Sequence, residues 1–221
     1  MNTDTEVIRV LVADDEPLVR AGVVSILSTD PGIDVVAQAG TGAEALEYLR
    51  AHQVDVAVLD IRMPGLSGLE VLAQMRRENS ATRCVFVTTF GEDDYVARAI
   101  GLGADGFVLK AGDPRELLMG LHAAAAGGAF FSPSVARRLL GGYQAKKFSD
   151  QQGAQALFDR LTPREKDVLR LIGRGRSNTE IASELYMAAT TVKTHITSIL
   201  RSTSARNRVE AALIAVRAGE A

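Results

Sequence analysis

Five residues that lie far apart in this chain each stand at the end of a short apolar run: the pair Asp14 and Asp15, then Asp60, Thr88 and Lys110. The runs cover residues 7–13, 54–59, 84–87 and 106–109, and most are rich in Val, Ile or Leu without polar alternation. Such runs read as strands buried on both faces of a parallel sheet. In an open α/β sheet, chemistry collects at the carboxyl ends of the strands. The spacing therefore sends three acids, one hydroxyl and one ammonium into a single crevice, suited to a cation and a phosphoryl group.

Between the runs the sequence predicts helices over 17–27, 42–52, 69–77, 93–102 and 114–126, and a further strand over 35–38. Strand–helix alternation repeated five times implies a doubly wound, five-stranded parallel α/β domain with right-handed crossovers, spanning 6–126. Residues 127–156 read as a linker. Gly127, Gly128, Ser132 and Pro133 break the pattern, 134–140 reads as a short helix, and 141–155 is polar, glycine-containing and flexible. Residues 157–221 read as a small all-α domain with four helical patterns, one starting at 162 and the others over 178–186, 190–201 and 208–218. The first of these opens on a capping box, with Thr162 as cap, Pro163 at the first helical position and Glu165 closing the box.

Charge divides the chain in the same way. Residues 1–125 carry 10 Lys+Arg against 19 Asp+Glu, while residues 156–221 carry 11 against 7. An acidic front and a basic back point to different partners, nucleic acid for the back. One cysteine excludes an internal disulfide and fits a reducing cytosol. The acidic start MNTDTEVIRV is unlike a secretory signal. No apolar run approaches the ~20 residues that span a bilayer, so a cytoplasmic protein without membrane attachment is expected.

The segments VLVADDEPLVR, VLDIRMPGLSGLEVL, VFVTTF and GFVLKAGDPRELL, in that order and separation, resemble the receiver domain of two-component response regulators. The resemblance implies that Asp60 accepts a phosphoryl group from a sensor histidine kinase. Asp14, Asp15, Asp60 and the backbone carbonyl of Arg62 would hold Mg²⁺, which prefers hard oxygen ligands. Lys110 would pair with a phosphoryl oxygen and Thr88 would donate to another, with Phe107 as the rotating aromatic of the switch. Thr89 should face away from Thr88 if the strand continues. Many receivers carry Pro after the Lys, where this chain has Ala111.

The segments LTPREKDVLRLI, GRSNTEIASELYMAATTVKTHITSIL and ARNRVEAALIAV resemble the helix-turn-helix domain of the LuxR/NarL/FixJ regulators. On the second helix of the motif, Lys193, Thr194, Thr197 and Arg201 share one face, opposite Val192, Ile196 and Ile199. The resemblance makes Lys193, Thr194 and Thr197 the positions that read double-stranded DNA in the major groove. Thr190, Thr191, Ser177 and Asn178 are candidate phosphate contacts, and Arg174, Arg176, Arg206 and Arg208 could add backbone affinity. Val209, Leu213 and Val216 form the expected seam of an active homodimer. The family continues this helix into a Lys-Leu-Gly-like segment. Ser202-Thr203-Ser204 stands there instead, without the cation, the apolar plug or the glycine.

The expected function is transcriptional regulation. Phosphorylation would relieve contacts that mask the DNA helix and would favour a dimer. A phosphatase of the haloacid-dehalogenase type would need a second Asp at position 62, which is Arg62, so a dedicated enzyme is not expected. A receiver used only for protein docking is the remaining alternative, and the Lys193 helix argues against it. His195 has no second His or Cys beside it and reads as structural, as does Cys84.

Overall fold

Continuous runs of branched apolar residues need cover on both faces, and helices supply it. The computed structural model describes residues 7–78, 80–89, 93–132, 135, 147–205 and 207–221. Strands β1 (Ile8–Ala13), β2 (Ile33–Ala39), β3 (Val56–Asp60), β4 (Arg83–Thr88), β5 (Gly106–Leu109) and β6 (Phe130–Phe131) form one parallel sheet. The order is β2-β1-β3-β4-β5-β6. Helices α1 (Pro17–Leu27), α2 (Gly42–Ala51), α3 (Gly68–Arg77), α4 (Asp93–Leu102) and α5 (Pro114–Ala125) connect the first five strands and follow the fifth.

Side chains alternate across each strand, so the sheet divides them between two cores. Leu11, Ala57, Leu59, Cys84, Phe86 and Phe107 pack with Ala45, Leu46, Leu72, Met75 and Ala99 of α2, α3 and α4. Val10, Val12, Val56, Val58, Val85 and Val108 pack with Val23 and Leu27 of α1 and Leu117 and Leu121 of α5. The chain reverses its strand order between β1 and β3, so the crevice opens above those two strands.

The sheet has six strands where the sequence predicts five. Gly127 takes a left-handed turn (φ 75°) after α5 and sends the chain back along β5. The Phe130 amide donates to the Asp105 carbonyl (3.1 Å) and the Ser132 amide to the Phe107 carbonyl (2.9 Å). A two-residue strand is too short to show periodicity, and its two aromatics gain burial only against an edge that already exists.

The expected linker is also partly helical. Helix α6 (Lys147–Asp159) precedes α7 (Pro163–Gly173), α8 (Asn178–Glu184), α9 (Ala189–Thr203) and α10 (Arg208–Ala218). Its Ala154 and Phe158, one turn apart, are buried in a separate core with Leu169, Ile172, Ile181, Val192, Ile199 and Ala215. Lys166 and Arg170 lie over the Phe158 ring, 5.4 and 5.2 Å from its centroid. Polar residues dominate α6, so only tertiary contact marks it as helix. The stretch 141–146 lies outside the described residues, as does the expected helix over 134–140 except at Val135.

Both turns that frame α9 use left-handed residues that are not glycine. Tyr186 (φ 52°) follows α8, and Ser204 (φ 56°) follows α9. At Ser202–Ser204 the turn forms without glycine. Thr203 is buried in the plug position, and its hydroxyl donates to the Ile199 carbonyl (2.7 Å). That bond satisfies the polar group in an apolar site.

Candidate phosphoryl site and nucleic-acid interface

The strand ends bring the predicted acids together. β1 delivers Asp14, 2% exposed, and β3 ends on Asp60, 7% exposed. Lys110 follows β5, and its Nζ lies 2.9 Å from Asp14 Oδ2, 3.1 Å from Asp60 Oδ2 and 3.3 Å from Glu16 Oε1. The other Asp60 oxygen accepts from the Ile61 amide (2.7 Å). Burial pushes the Asp60 carboxyl above the usual carboxylate range; Lys110 and the Ile61 amide pull it down, and the Asp14 charge pushes it up. Burial works against the Lys110 ammonium, but its bonds to Asp14 and Asp60 hold its pKa raised.

Asp14, Asp15 and Asp60 each offer a carboxylate oxygen within 4.8 Å of the others. Three hard oxygen donors at this spacing, one of them solvent-exposed, fit Mg²⁺. The pocket above them is lined by Asp15, Glu16, Asp60, Ile61, Arg62, Thr88, Thr89, Tyr95 and Lys110. Thr89 therefore does not turn away from Thr88. β4 ends at Thr88, so strand alternation stops before Thr89, and the Thr88 hydroxyl donates to the Thr89 carbonyl (3.1 Å).

The turn after β3 sets the height of this floor. The Gly68 amide donates to the Ile61 carbonyl (3.0 Å), and a Cβ on Gly68 would stand 2.1 Å from the Asp60 carbonyl oxygen. Only glycine allows that approach. Phe107 is fully buried, its ring 5.2 Å from Phe86 and stacked at 6.1 Å on Phe131 of β6. Lys110 and Ala111 are joined by a trans peptide, like every described bond. Sequence reasoning missed three pocket residues, Glu16, Ile61 and Tyr95. Glu16 stands next to the acidic pair and could have been read from adjacency. Tyr95 comes from α4, and nothing local announces it.

In the helical domain α9 presents to solvent the face expected to read DNA. Thr190, Thr191, Lys193, Thr194, Thr197 and Arg201 are exposed, while Val192 and Ile199 are buried and Ile196 is half-buried on the other side. The Thr194 hydroxyl donates to the Thr190 carbonyl (3.1 Å) and that of Thr197 to the Lys193 carbonyl (3.0 Å). Each threonine thus has a methyl group and an oxygen lone pair left to offer. His195 is half-buried near Glu165, as a structural residue would be.

The receiver touches this domain elsewhere, which corrects the expected masking of the DNA helix. The Asn207 amide donates to the Ile100 carbonyl near the end of α4, while its oxygen caps α10 by accepting from the Glu210 amide (2.9 Å). Arg208 donates to Asn178 Oδ1 (2.7 Å) and to the Arg176 carbonyl. Asn178 is 5% exposed, packed beside Gly127 of the receiver. It is therefore not open to a phosphate in this arrangement, because the domain junction covers it. Burial, and then the charge of Arg83 across the junction, bring the Arg208 guanidinium down to about 10. The expected dimer seam is divided: Val209 is buried, Leu213 is half-buried, and Val216 is 41% exposed.

Comparison with known proteins agrees with both halves. Residues 10–122 match the model of the response regulator receiver domain, and residues 159–215 match that of the bacterial regulatory proteins of the luxR family. The nitrate/nitrite response regulator protein NarP of Escherichia coli K12 is 38% identical over 206 residues, 93% of either chain. The solved response regulator ChrA of a heme-sensing two-component system is 29% identical, with TM-score 0.54, covering 98% of this chain and all of that one. RcsB, solved as two dimers bound to two parallel DNAs, is 25% identical, with TM-score 0.57, covering 96% of this chain and 99% of that one.

A doubly wound receiver with this acidic crevice, joined to a helix-turn-helix, defines a two-component response regulator. Within that class the chain belongs to the LuxR/NarL family of transcriptional regulators. Among the described residues no helix is long and apolar enough to cross a membrane.

Proposed function

We propose that Asp60 accepts a phosphoryl group from a sensor histidine kinase, and that this controls dimerisation and sequence-specific DNA binding by α9 in the bacterial cytoplasm. The observation that carries the reading is Lys110, shared between Asp14 and Asp60 at the strand ends. Asp60 attacks phosphorus through a carboxylate oxygen, and the bond from phosphorus to the donor breaks. Lys110 then turns toward a phosphoryl oxygen, and Thr88 exchanges its bond to the Thr89 carbonyl for another. Asp14, Asp15, Asp60 and the Arg62 carbonyl would hold Mg²⁺, which when bound offsets the negative charge of the incoming group. The chain is not a dedicated enzyme in this reading: the phosphoryl group is a signal.

The exposed face of α9 supports groove reading by Lys193, Thr194 and Thr197, with Thr190, Thr191 and Arg201 on the backbone. Because that face is open while Asn207 binds the receiver and Val209 is buried, the receiver acts on the pairing of α10 through Val209, Leu213 and Val216. Asp60→Asn should abolish labelling by acetyl phosphate with the fold intact, and chelation of Mg²⁺ should slow labelling of the wild type. Acid-stable label retained on the variant would refute the assignment. Beryllofluoride should raise both dimer content and operator affinity, read by sedimentation and footprinting.

A further inference from the structure

Tyr186 is an oddity that neither the fold nor the reading face of α9 explains. It is the second residue past α8, after Leu185, in the left-handed region at φ 52°. The turn has the form that glycine usually closes, with the Met187 amide donating to the Ala182 carbonyl (2.9 Å) and the Tyr186 amide reaching back to the Ser183 carbonyl (3.4 Å). A bulky residue in this conformation is strained. The ring recovers nothing for the fold, since Tyr186 is 97% exposed. Its neighbours hold the turn without it. Arg164 of α7 donates to the Leu185 carbonyl, and Met187 packs against the domain core. An aromatic that costs folding energy and stands almost wholly in solvent points to a role outside its own fold.

Its position says what that is. Tyr186 precedes the first residue of α9 by three positions, so at most about 11 Å of chain separates them. With α9 in a major groove about 12 Å wide, residues at that distance from its start lie over the flanking sugar–phosphate strand. A phenol hydroxyl is a neutral donor suited to a phosphate oxygen, and the ring can cover the adjoining sugar. We propose that Tyr186 is a DNA-backbone contact that seats the start of the recognition helix, a positioning role for the binding reaction. The proposal rests on the reading of α9 as a DNA-binding helix.

The test uses the full chain, treated with acetyl phosphate, on random-sequence duplex DNA at two salt concentrations. Tyr186→Phe removes one hydroxyl and should weaken binding about two- to tenfold. Its salt dependence should match the wild type, because a neutral group releases no counterion. Tyr186→Gly suits the turn, so it should raise the melting temperature by a few degrees while weakening DNA binding further. A merely structural residue would move stability and affinity in the same direction, and that result would overturn the proposal. So would wild-type affinity in both variants. If the wild-type chain itself binds no DNA, the reading of α9 fails as well, which separates the two failures.

Discussion

At the scale of single residues, the end of α9 shows how a left-handed turn can close on a residue that is not glycine. Ser204 holds φ 56° where the family places glycine, and Thr203 fills the apolar plug by returning its hydroxyl to Ile199. Ser204→Gly should therefore stabilise the protein by about 1 kcal/mol, seen as a higher urea midpoint without a change in slope. DNA affinity should be unchanged, since the helix already ends there. Lys193 and Arg201 are both exposed cations on one helix, yet they should behave differently. Lys193→Ala should cost roughly 1–3 kcal/mol on the true operator and relax preference at one base position. Arg201→Ala should weaken all sequences about equally and reduce the salt slope by about one. Competition against an operator library at two salt concentrations distinguishes them.

At the scale of elements, the turn joining β3 to α3 ties local sequence to the chemistry of the site. Ser67 and Glu70 form a reciprocal capping box, so α3 begins at Gly68 in one register. That register lays Gly68 against the Asp60 carbonyl. Gly68→Ala should cost about 1–3 kcal/mol as backbone or loop gives way. It should also slow phosphorylation of Asp60 by acetyl phosphate, because the strand end that carries the carboxylate must move. Denaturant midpoints and labelling rates on the same variant would show both effects; an unchanged labelling rate would detach the turn from the site. The short β6 is a different kind of element. Its Phe131 covers the Phe107 ring, so the core around Phe107 is completed by residues beyond α5.

For the whole molecule, the described contacts between the domains include polar ones at Asn207 and Asn178. Asn207 serves both sides at once, capping α10 with its oxygen and binding the Ile100 carbonyl with its nitrogen. Asn207→Asp separates the two roles. A carboxylate caps the helix as well as an amide does, but it cannot donate, and it sets a negative charge against a helix-end carbonyl. The junction should open, so that unphosphorylated protein binds DNA about fivefold or more tightly than the wild type. The gap between phosphorylated and unphosphorylated affinity should narrow accordingly. Equilibrium titration of both forms would check this, and an unchanged gap would show that the junction does not restrain binding.

The sequence by itself determined what depends on local pattern. Unbroken apolar runs marked four of the six strands and the stretch 35–38 a fifth, the ends of those runs placed Asp14, Asp15, Asp60, Thr88 and Lys110 in one crevice, and helical spacing set the two faces of α9. These features follow from periodicity and from the rule that chemistry gathers at strand ends, so they need no knowledge of neighbours. Tertiary structure alone decided the rest. β6 exists because β5 offers an edge, α6 is helical because Phe158 finds a core, and Tyr95 enters the pocket because α4 passes over it. Asn178, expected as a phosphate contact, and Val209, expected in a dimer seam, are buried. Burial depends on what packs against a residue, and two domains joined by a polar stretch carry no local record of where they will meet.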